Sequence, residues 1–217
     1  MEAPHGFCAV LSDSPHPERL TDGWGDRWEI MSSGFNPYPC GVVTHAAIEA
    51  ALALRNEQGV TADLAAQVHA RCHPLVLEFA SKSDPHTGLE AKFSIYHCLA
   101  AALVDGAVTL ATFTDQRVSD PTIAAMRQRI RVEVDPSLQT DQAQVTAKLI
   151  TGQEMSVVIE HAGGSPAHPL TDGQLMQKFN GLVEGCMDTA VAQEVREQVY
   201  RLETLPDVTR LLRLCRK

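Results

Sequence analysis

The stretch AQVTAKLITGQEMSVVI, residues 143–159, decides the fold of this chain. Apolar and polar residues alternate along it on both sides of Thr151-Gly152, and the apolar positions are Val145, Ala147, Leu149, Met155, Val157 and Ile159. A period of two is typical of strands with one buried face. Glycine in a short polar interruption between two such runs favours a tight turn. The stretch therefore predicts a β-hairpin.

Two further runs extend this prediction to a sheet. Ile130, Val132 and Val134 alternate with polar residues, and a run that starts at Val68 alternates in the same way. Half-polar strands joined by short turns are typical of antiparallel sheets with one face in solvent. The sequence therefore predicts an antiparallel sheet at 130–159, preceded by a strand near residue 68.

The segments around these strands show helical patterns. Predicted helices cover Val42 to Arg55, Lys92 to Val104 with Gly106 ending it, and Pro121 to about Arg129 after Asp120. Thr171-x-x-Gln174 is a capping box, from which the chain is predicted to be helical to its end. Strands grouped between helices, without a strand-helix-strand series, indicate an α+β fold.

Composition and charge exclude several classes of protein. The 217 residues are 44% hydrophobic and 21% charged, which is typical of a globular chain and not of a disordered one. The net charge is 18 − 27 = −9, and the basic cluster is confined to Arg210, Arg213, Arg216 and Lys217. A nucleic-acid partner is therefore not expected. No apolar run reaches the roughly 18 residues of a membrane span, so no membrane partner is expected.

The cysteine pattern and the absence of common catalytic motifs restrict the type of reaction that the sequence can support. The cysteines are scattered, with no CxxC pair and no zinc-finger spacing. Without a signal peptide, they are interpreted as reduced thiols of a cytoplasmic protein. The sequence contains no Gly-rich phosphate loop, GxSxG or HExxH. Phosphoryl transfer, serine hydrolysis and zinc proteolysis are not indicated.

The turn Phe35–Gly41, followed by His45, is the first candidate site. Free N–H groups at a helix start after a glycine bind anions, and an imidazole beside them can donate to a carboxylate or move a proton. The alternative interpretation is a Pro-rich entry turn with a packed histidine.

Histidine-containing segments give the other candidates. In the predicted helix at 92–104, His97 lies opposite the apolar stripe of Ile95 and Leu99, which suits either a functional or an ordinary surface histidine. On the strand, His69, Arg71 and His73 share one face. These side chains, and those of His161 and His168, could bind a metal ion. The favoured interpretation is that they are solvated, because no acidic ligand is nearby in sequence.

Four motifs in order resemble the MmgE/PrpD family. They are Asn36–His45 (NPYPCGVVTH), Ala91–His97 (AKFSIYH), Thr114-Asp115 with Val118 and Asp120-Pro121, and Gly164-Ser165-Pro166 with Pro169–Asp172 and Lys178-Phe179. The resemblance covers only the C-terminal half of family members, whose long helical region has no counterpart here. It implies an α+β lid domain at 32–170, flanked by segments 1–31 and 171–217 of an all-helical domain.

The resemblance also implies a function. Family members are dehydratases, decarboxylases and epimerases of small di- and tricarboxylates that use neither a metal nor an organic cofactor. The chain is thus expected to be a lyase or isomerase, such as a hydro-lyase of the 2-methylcitrate dehydratase type, that removes a proton α to a carboxylate. A homodimer, or a complex with a separate helical half, is the expected assembly. The alternative is a truncated non-catalytic remnant, or a subunit that needs that separate half.

Site residues follow from the same resemblance. His97 is expected to act as an acid/base or orienting group and Tyr96 as a hydrogen-bond donor. His45, with the amides of Cys40 and Gly41, would hold a substrate carboxylate, and Lys92 would pair with charge. Asn36 stands where the family usually has lysine. That exchange loses a charge-assisted bond and implies weaker binding or a different substrate.

Overall fold

The computed structural model describes Ala3 and residues 6–216. The remaining residues, which are Met1, Glu2, Pro4, His5 and Lys217, lie outside the described part. The prediction that Lys217 belongs to the basic cluster near residue 213 therefore also lies outside it. The chain divides into two compact units, residues 1–34 and 35–217. The helices are α1 Phe7–Leu11, α2 His45–Asn56, α3 Leu75–Phe79, α4 Gly88–Ala91, α5 Ile95–Asp105, α6 Asp115–Val118, α7 Pro121–Arg127, α8 Asp172–Val183, α9 Thr189–Tyr200 and α10 Thr209–Leu214. The strands are β1 Ala65–Cys72, β2 Ile130–Val134, β3 Ala143–Leu149 and β4 Glu154–Ile159.

The first unit contains α1 and two short 3₁₀ turns, Pro17–Leu20 and Glu29–Ser32. None of its described residues is buried, and large apolar side chains such as Trp24 (80% exposed) and Met31 (82%) lie at its surface. Arg27 forms ion pairs with Asp22 and Glu29 at 3.3 and 2.6 Å.

The second unit is built on a four-stranded sheet in the order β2-β1-β3-β4. The predicted hairpin is confirmed, since β3 and β4 pair antiparallel with Val145 opposite Val157, and Gly152 has a left-handed φ of +86° in the turn. Helices α2 and α5 pack on the sheet and on each other, and α7 packs on α5. This arrangement confirms the α+β fold class.

The sheet is mixed, so the prediction of a wholly antiparallel sheet was wrong for one strand. β1 pairs antiparallel with β3, but it pairs parallel with β2, with Val68 beside Ile130. The reason is the connection: parallel strands need a long crossover, and α3 to α7 provide it between β1 and β2. Strand β1 also ends at Cys72, earlier than the alternation suggested, because His73 accepts the N–H of Leu75 at 3.2 Å as α3 begins.

Helix boundaries follow the predicted caps. Asp120 accepts the N–H groups of Thr122 and Ile123, with Pro121 at the first position of α7. The capping box of Thr171 and Gln174 opens α8, and Gly106 ends α5 with φ +72°. None of the helices in the described part of the chain is long and apolar enough to cross a membrane.

Candidate functional site

The turn before α2 is held at both ends by backbone hydrogen bonds. The N–H of Phe35 donates to the Gly164 carbonyl at 2.7 Å, and the N–H of Gly41 donates to the Lys92 carbonyl at 3.2 Å. Gly164 has φ +83°, and a Cβ there would lie 2.1 Å from the Phe35 carbonyl oxygen. Only glycine permits this approach. The turn is therefore a fixed part of the second unit, although the Gly41 N–H expected to hold a carboxylate is engaged within the fold.

His45 lies at the first position of α2 and is buried, 1% exposed. Its ring stands edge-on to that of Tyr38, with centroids 5.4 Å apart and planes at 82°. Within the described residues, no hydrogen-bond partner reaches its Nε2. A buried polar atom without a partner is costly and needs an explanation. The packed-histidine interpretation alone leaves this nitrogen unexplained.

Cys40 and Cys98 form a thiol pair next to His45. The Sγ of Cys40 is 3.4 Å from the Thr44 hydroxyl, which also lies 2.8 Å from the Gly41 carbonyl. A hydrogen bond from Cys98, together with His45 and Thr44, lowers the pKa of Cys40 to about 5, against the opposing effect of burial. The hydrogen bond to Cys40 and complete burial raise the pKa of Cys98. Of the two thiols, Cys40 is the one that ionises.

Glu49 lies one helical turn after His45, on the same face of α2. It is half-buried, and its Oε1 accepts the N–H of Gly163 at 2.7 Å. Burial raises its pKa, while the Gly163 N–H, His168 and His45 act in the opposite direction. Sequence reasoning missed this residue. The available signal was a lone carboxylate in an otherwise Ala-rich, apolar helix, because a carboxylate is seldom buried without a partner.

A cavity of about 490 Å³ borders Glu49. Its walls come from the turn at 37–39, helix α2, the loops 106–110 and 163–170, and helix α8. Its polar side chains are Tyr38, Glu49, Thr109, His168, Gln174, Gln177 and Lys178. Burial raises the pKa of Tyr38, and the nearby Glu49 and Cys40 add to that shift, so the phenol keeps its proton at neutral pH. Such a mixed cavity has the size and polarity of a small-molecule site.

Asn36 is exposed and contributes its backbone to this region. Its carbonyl accepts a hydrogen bond from the Lys178 Nζ at 2.6 Å. Asn36 replaces the lysine that the family usually has, but α8 places the amino group of Lys178 next to it. Lys178 belongs to the fourth motif of the family resemblance, and the sequence alone indicates no role for it.

His97 lies elsewhere and is fully buried, which corrects the expectation that it points away from the core. Helix α5 is covered by α2 on one side and by α7 on another, so it has no solvent face at this level. The Nε2–H of His97 donates to the Thr112 carbonyl at 2.9 Å, and its ring packs 5.9 Å from that of Phe113. Burial lowers its pKa, chiefly opposed by the Thr112 carbonyl.

Successive helical positions separate His97 from the thiol pair. Cys98 contacts Cys40, whereas His97, about 100° away around α5, faces Thr112. Tyr96 and Lys92 are half-buried, and Lys92 meets the turn through its carbonyl. The structure thus brings together Cys40, Gly41, His45 and the backbone of Lys92. None of these residues lines the cavity, and Tyr96 and His97 do not line it either.

The other histidines have polar neighbours. His69 pairs with Glu133 at 3.1 Å, an acidic partner that only the parallel strand pairing supplies. His161 pairs with Asp141 at 2.8 Å, and His168 Nδ1 donates to the His161 carbonyl at 3.2 Å. Among the described side chains, no group of three His, Cys, Asp or Glu is placed to hold a metal ion.

Residues 38–204 match the sequence model of the MmgE/PrpD C-terminal domain. The chain belongs to the MmgE/PrpD family. Two curated relatives of this MmgE/PrpD chain are cis-aconitate decarboxylase from Mus musculus, 24% identical over 96% of the chain, and the cis-aconitate decarboxylase-like protein oryM from Aspergillus oryzae, 23% identical over 91%. The matched regions cover 45% and 43% of those proteins, so the chain spans less than half the length of these relatives.

Proposed function

We propose that this MmgE/PrpD chain carries part of the active site of a lyase or isomerase that acts on a small di- or tricarboxylate. Dehydration and epimerisation begin with removal of a proton α to a carboxylate, followed by loss of water or by reprotonation. In decarboxylation the C–C bond to the departing CO₂ breaks, its electron pair stays on carbon, and the resulting carbanion takes a proton from the acid/base group. Decarboxylation is the outcome favoured here, because both curated relatives are named for it. The 2-methylcitrate dehydratase type of reaction and epimerisation are the alternatives within the same chemistry.

The observation that carries this proposal is the placement of Glu49 on the cavity wall beside Tyr38. Burial makes the Glu49 carboxylate a stronger base than an exposed one. Tyr38 keeps its proton and provides a hydrogen-bond donor to the negative charge that develops on a substrate carboxylate. His45 packs against the Tyr38 ring and acts as a positioning residue for it.

The roles expected for the other residues remain predictions. The hydrogen bond of His97 to Thr112 engages only Nε2 and supports a positioning role, while Nδ1, which has no partner among the described residues, carries the lone pair that the proposed acid/base role needs. The family resemblance predicts Tyr96 as a hydrogen-bond donor, Lys92 as a charge partner, and Cys40 with Gly41 as a carboxylate-binding turn. None of these four residues lines the cavity. A homodimer in the cytoplasm stays the proposed assembly and location.

The test is turnover of cis-aconitate and of 2-methylcitrate by the purified chain, followed by proton NMR of the products. Glu49→Gln removes the base while keeping the shape, and Tyr38→Phe removes only the hydroxyl. Glu133→Gln, on the opposite face of the sheet, is the matched control. Loss of product with Glu49→Gln but not with Glu133→Gln is expected. Full turnover in Glu49→Gln would reject the proposed base.

A second candidate is a subunit that functions only with a separate helical chain, or a remnant without activity. It is favoured by the exposed apolar side chains of the first unit, which a partner would cover. Light scattering and binding of a hydrophobic dye to the purified chain distinguish the cases. A monodisperse monomer that does not bind the dye would count against both a missing half and a dimer.

A further inference from the structure

Helix α8 contributes one face to the cavity. Its cavity-lining residues are Gln174, Gln177, Lys178, Gly181 and Leu182, which recur at three- and four-residue spacing. Gln174 caps the helix through Thr171, and Gln177, Gly181 and Leu182 are exposed. Lys178 is the half-buried member of this face.

Among the described residues that line the cavity, Lys178 is the only lysine or arginine. The residue is half-buried, and its Nζ donates to the Asn36 carbonyl at 2.6 Å. No carboxylate in the described part of the chain lies within ion-pair distance of it. An ammonium group has three N–H donors, and one of them is used. Two donors and a full positive charge are therefore available to a bound molecule.

We propose that Lys178 binds a carboxylate of a small organic acid in the cavity formed by α2, α8 and the turn at 37–39. The Asn36 carbonyl fixes the ammonium group at the cavity edge, so little side-chain freedom is lost when the anion binds. The neutral amides of Gln174 and Gln177, on the same face of α8, supply further donors without adding charge.

The opposite wall sets the orientation of the ligand. Glu49 on α2 supplies a hydrogen-bond acceptor through its Oε2, because the N–H of Gly163 is bonded to the other oxygen, Oε1. An anionic group placed there would be repelled, whereas an O–H or acidic C–H would be accepted. The ligand carboxylate therefore lies toward α8, and the proton-bearing part of the ligand lies toward α2. This assignment rests on the proposed function only for the identity of the acid, since binding is measured without turnover.

Isothermal titration with cis-aconitate tests the site, and the uncharged trimethyl ester of that acid is the second probe. Lys178→Met is expected to weaken cis-aconitate binding by about tenfold or more, because a charge-assisted contact is lost. Lys178→Arg should recover most of the affinity. Lys148→Met, an exposed position on β3, is the matched control and should bind as the wild type does. The ester should bind wild type and Lys178→Met equally.

The outcomes separate this inference from the proposed function. Unchanged cis-aconitate affinity in a Lys178→Met protein with normal circular dichroism and unfolding temperature would overturn the site, whether or not the chain is active. Equal weakening by Lys148→Met would overturn it as well, since the effect would then be one of net charge. Lys178-dependent binding without any turnover would leave the site standing and count against the proposed function.

Discussion

The carboxylate of Glu49 accepts the backbone N–H of Gly163 at 2.7 Å, across 114 residues of sequence. This bond ties α2 to the loop that follows β4, and both segments contribute to the cavity wall. A Cβ at Gly163 would lie 2.6 Å from the Glu49 Oε1, so the end of that flexible side chain would have to move. The same carboxylate is thus part of the fold and part of the candidate site.

Gly163→Ala is expected to displace the flexible Glu49 carboxylate and to lower the free energy of unfolding by about 1 kcal/mol, because one hydrogen bond is lost. Urea unfolding followed by circular dichroism measures it. Gly173→Ala is the control: a Cβ there meets nothing closer than 3.9 Å, and because Gly173 lies in α8 this protein should be as stable as the wild type or more stable. An equally stable Gly163→Ala protein would show that the Glu49 contact is not needed.

Glu49 should make stability depend on pH. Its pKa is raised in the folded chain, so the folded state holds the proton more tightly than the unfolded state does. The stabilising contribution is full below the ordinary value of 4.5 and is lost as the pH rises through the higher folded value. Unfolding free energy of the wild type should therefore fall relative to Glu49→Gln as the pH rises from 4.5. A constant difference between the two proteins would contradict this.

Cys40 should react as a thiolate at low pH. With a pKa of about 5, its alkylation by iodoacetamide should change little between pH 6 and pH 8. Peptide mass spectrometry measures the rate of alkylation at Cys40. Cys98→Ala removes the main cause of the low pKa, so alkylation of Cys40 in that variant should become steeply dependent on pH over the same range.

His97→Ala is expected to cost about 2–4 kcal/mol of stability, because it empties a buried site and leaves the Thr112 carbonyl unpaired. The pKa of His97 is lowered in the folded chain, so the folded state disfavours the charged ring. Stability is full above the ordinary value of 6.5 and falls as the pH drops through that value. His97→Gln should abolish this acid dependence. Its persistence in His97→Gln would assign it to another group.

Local patterns were enough to predict much of the fold. The alternation at 143–159, the Asp120-Pro121 start and the Thr171 capping box each depend on neighbouring residues, and the structure confirms them. The parallel pairing of β1 with β2 joins residues about 60 positions apart. Nothing in either strand alone specifies that direction.

By itself, the sequence determined the positions of the strands and main helices, the α+β class and the motifs of the family, because periodicity and capping are short-range. Only the tertiary structure decided which polar side chains meet. It buried His97 between helices, brought Cys98 to Cys40 and placed Lys178 beside Asn36 and on the cavity that Glu49 borders. Those relationships depend on how separate elements pack, and packing is set by the whole core rather than by any local run of residues.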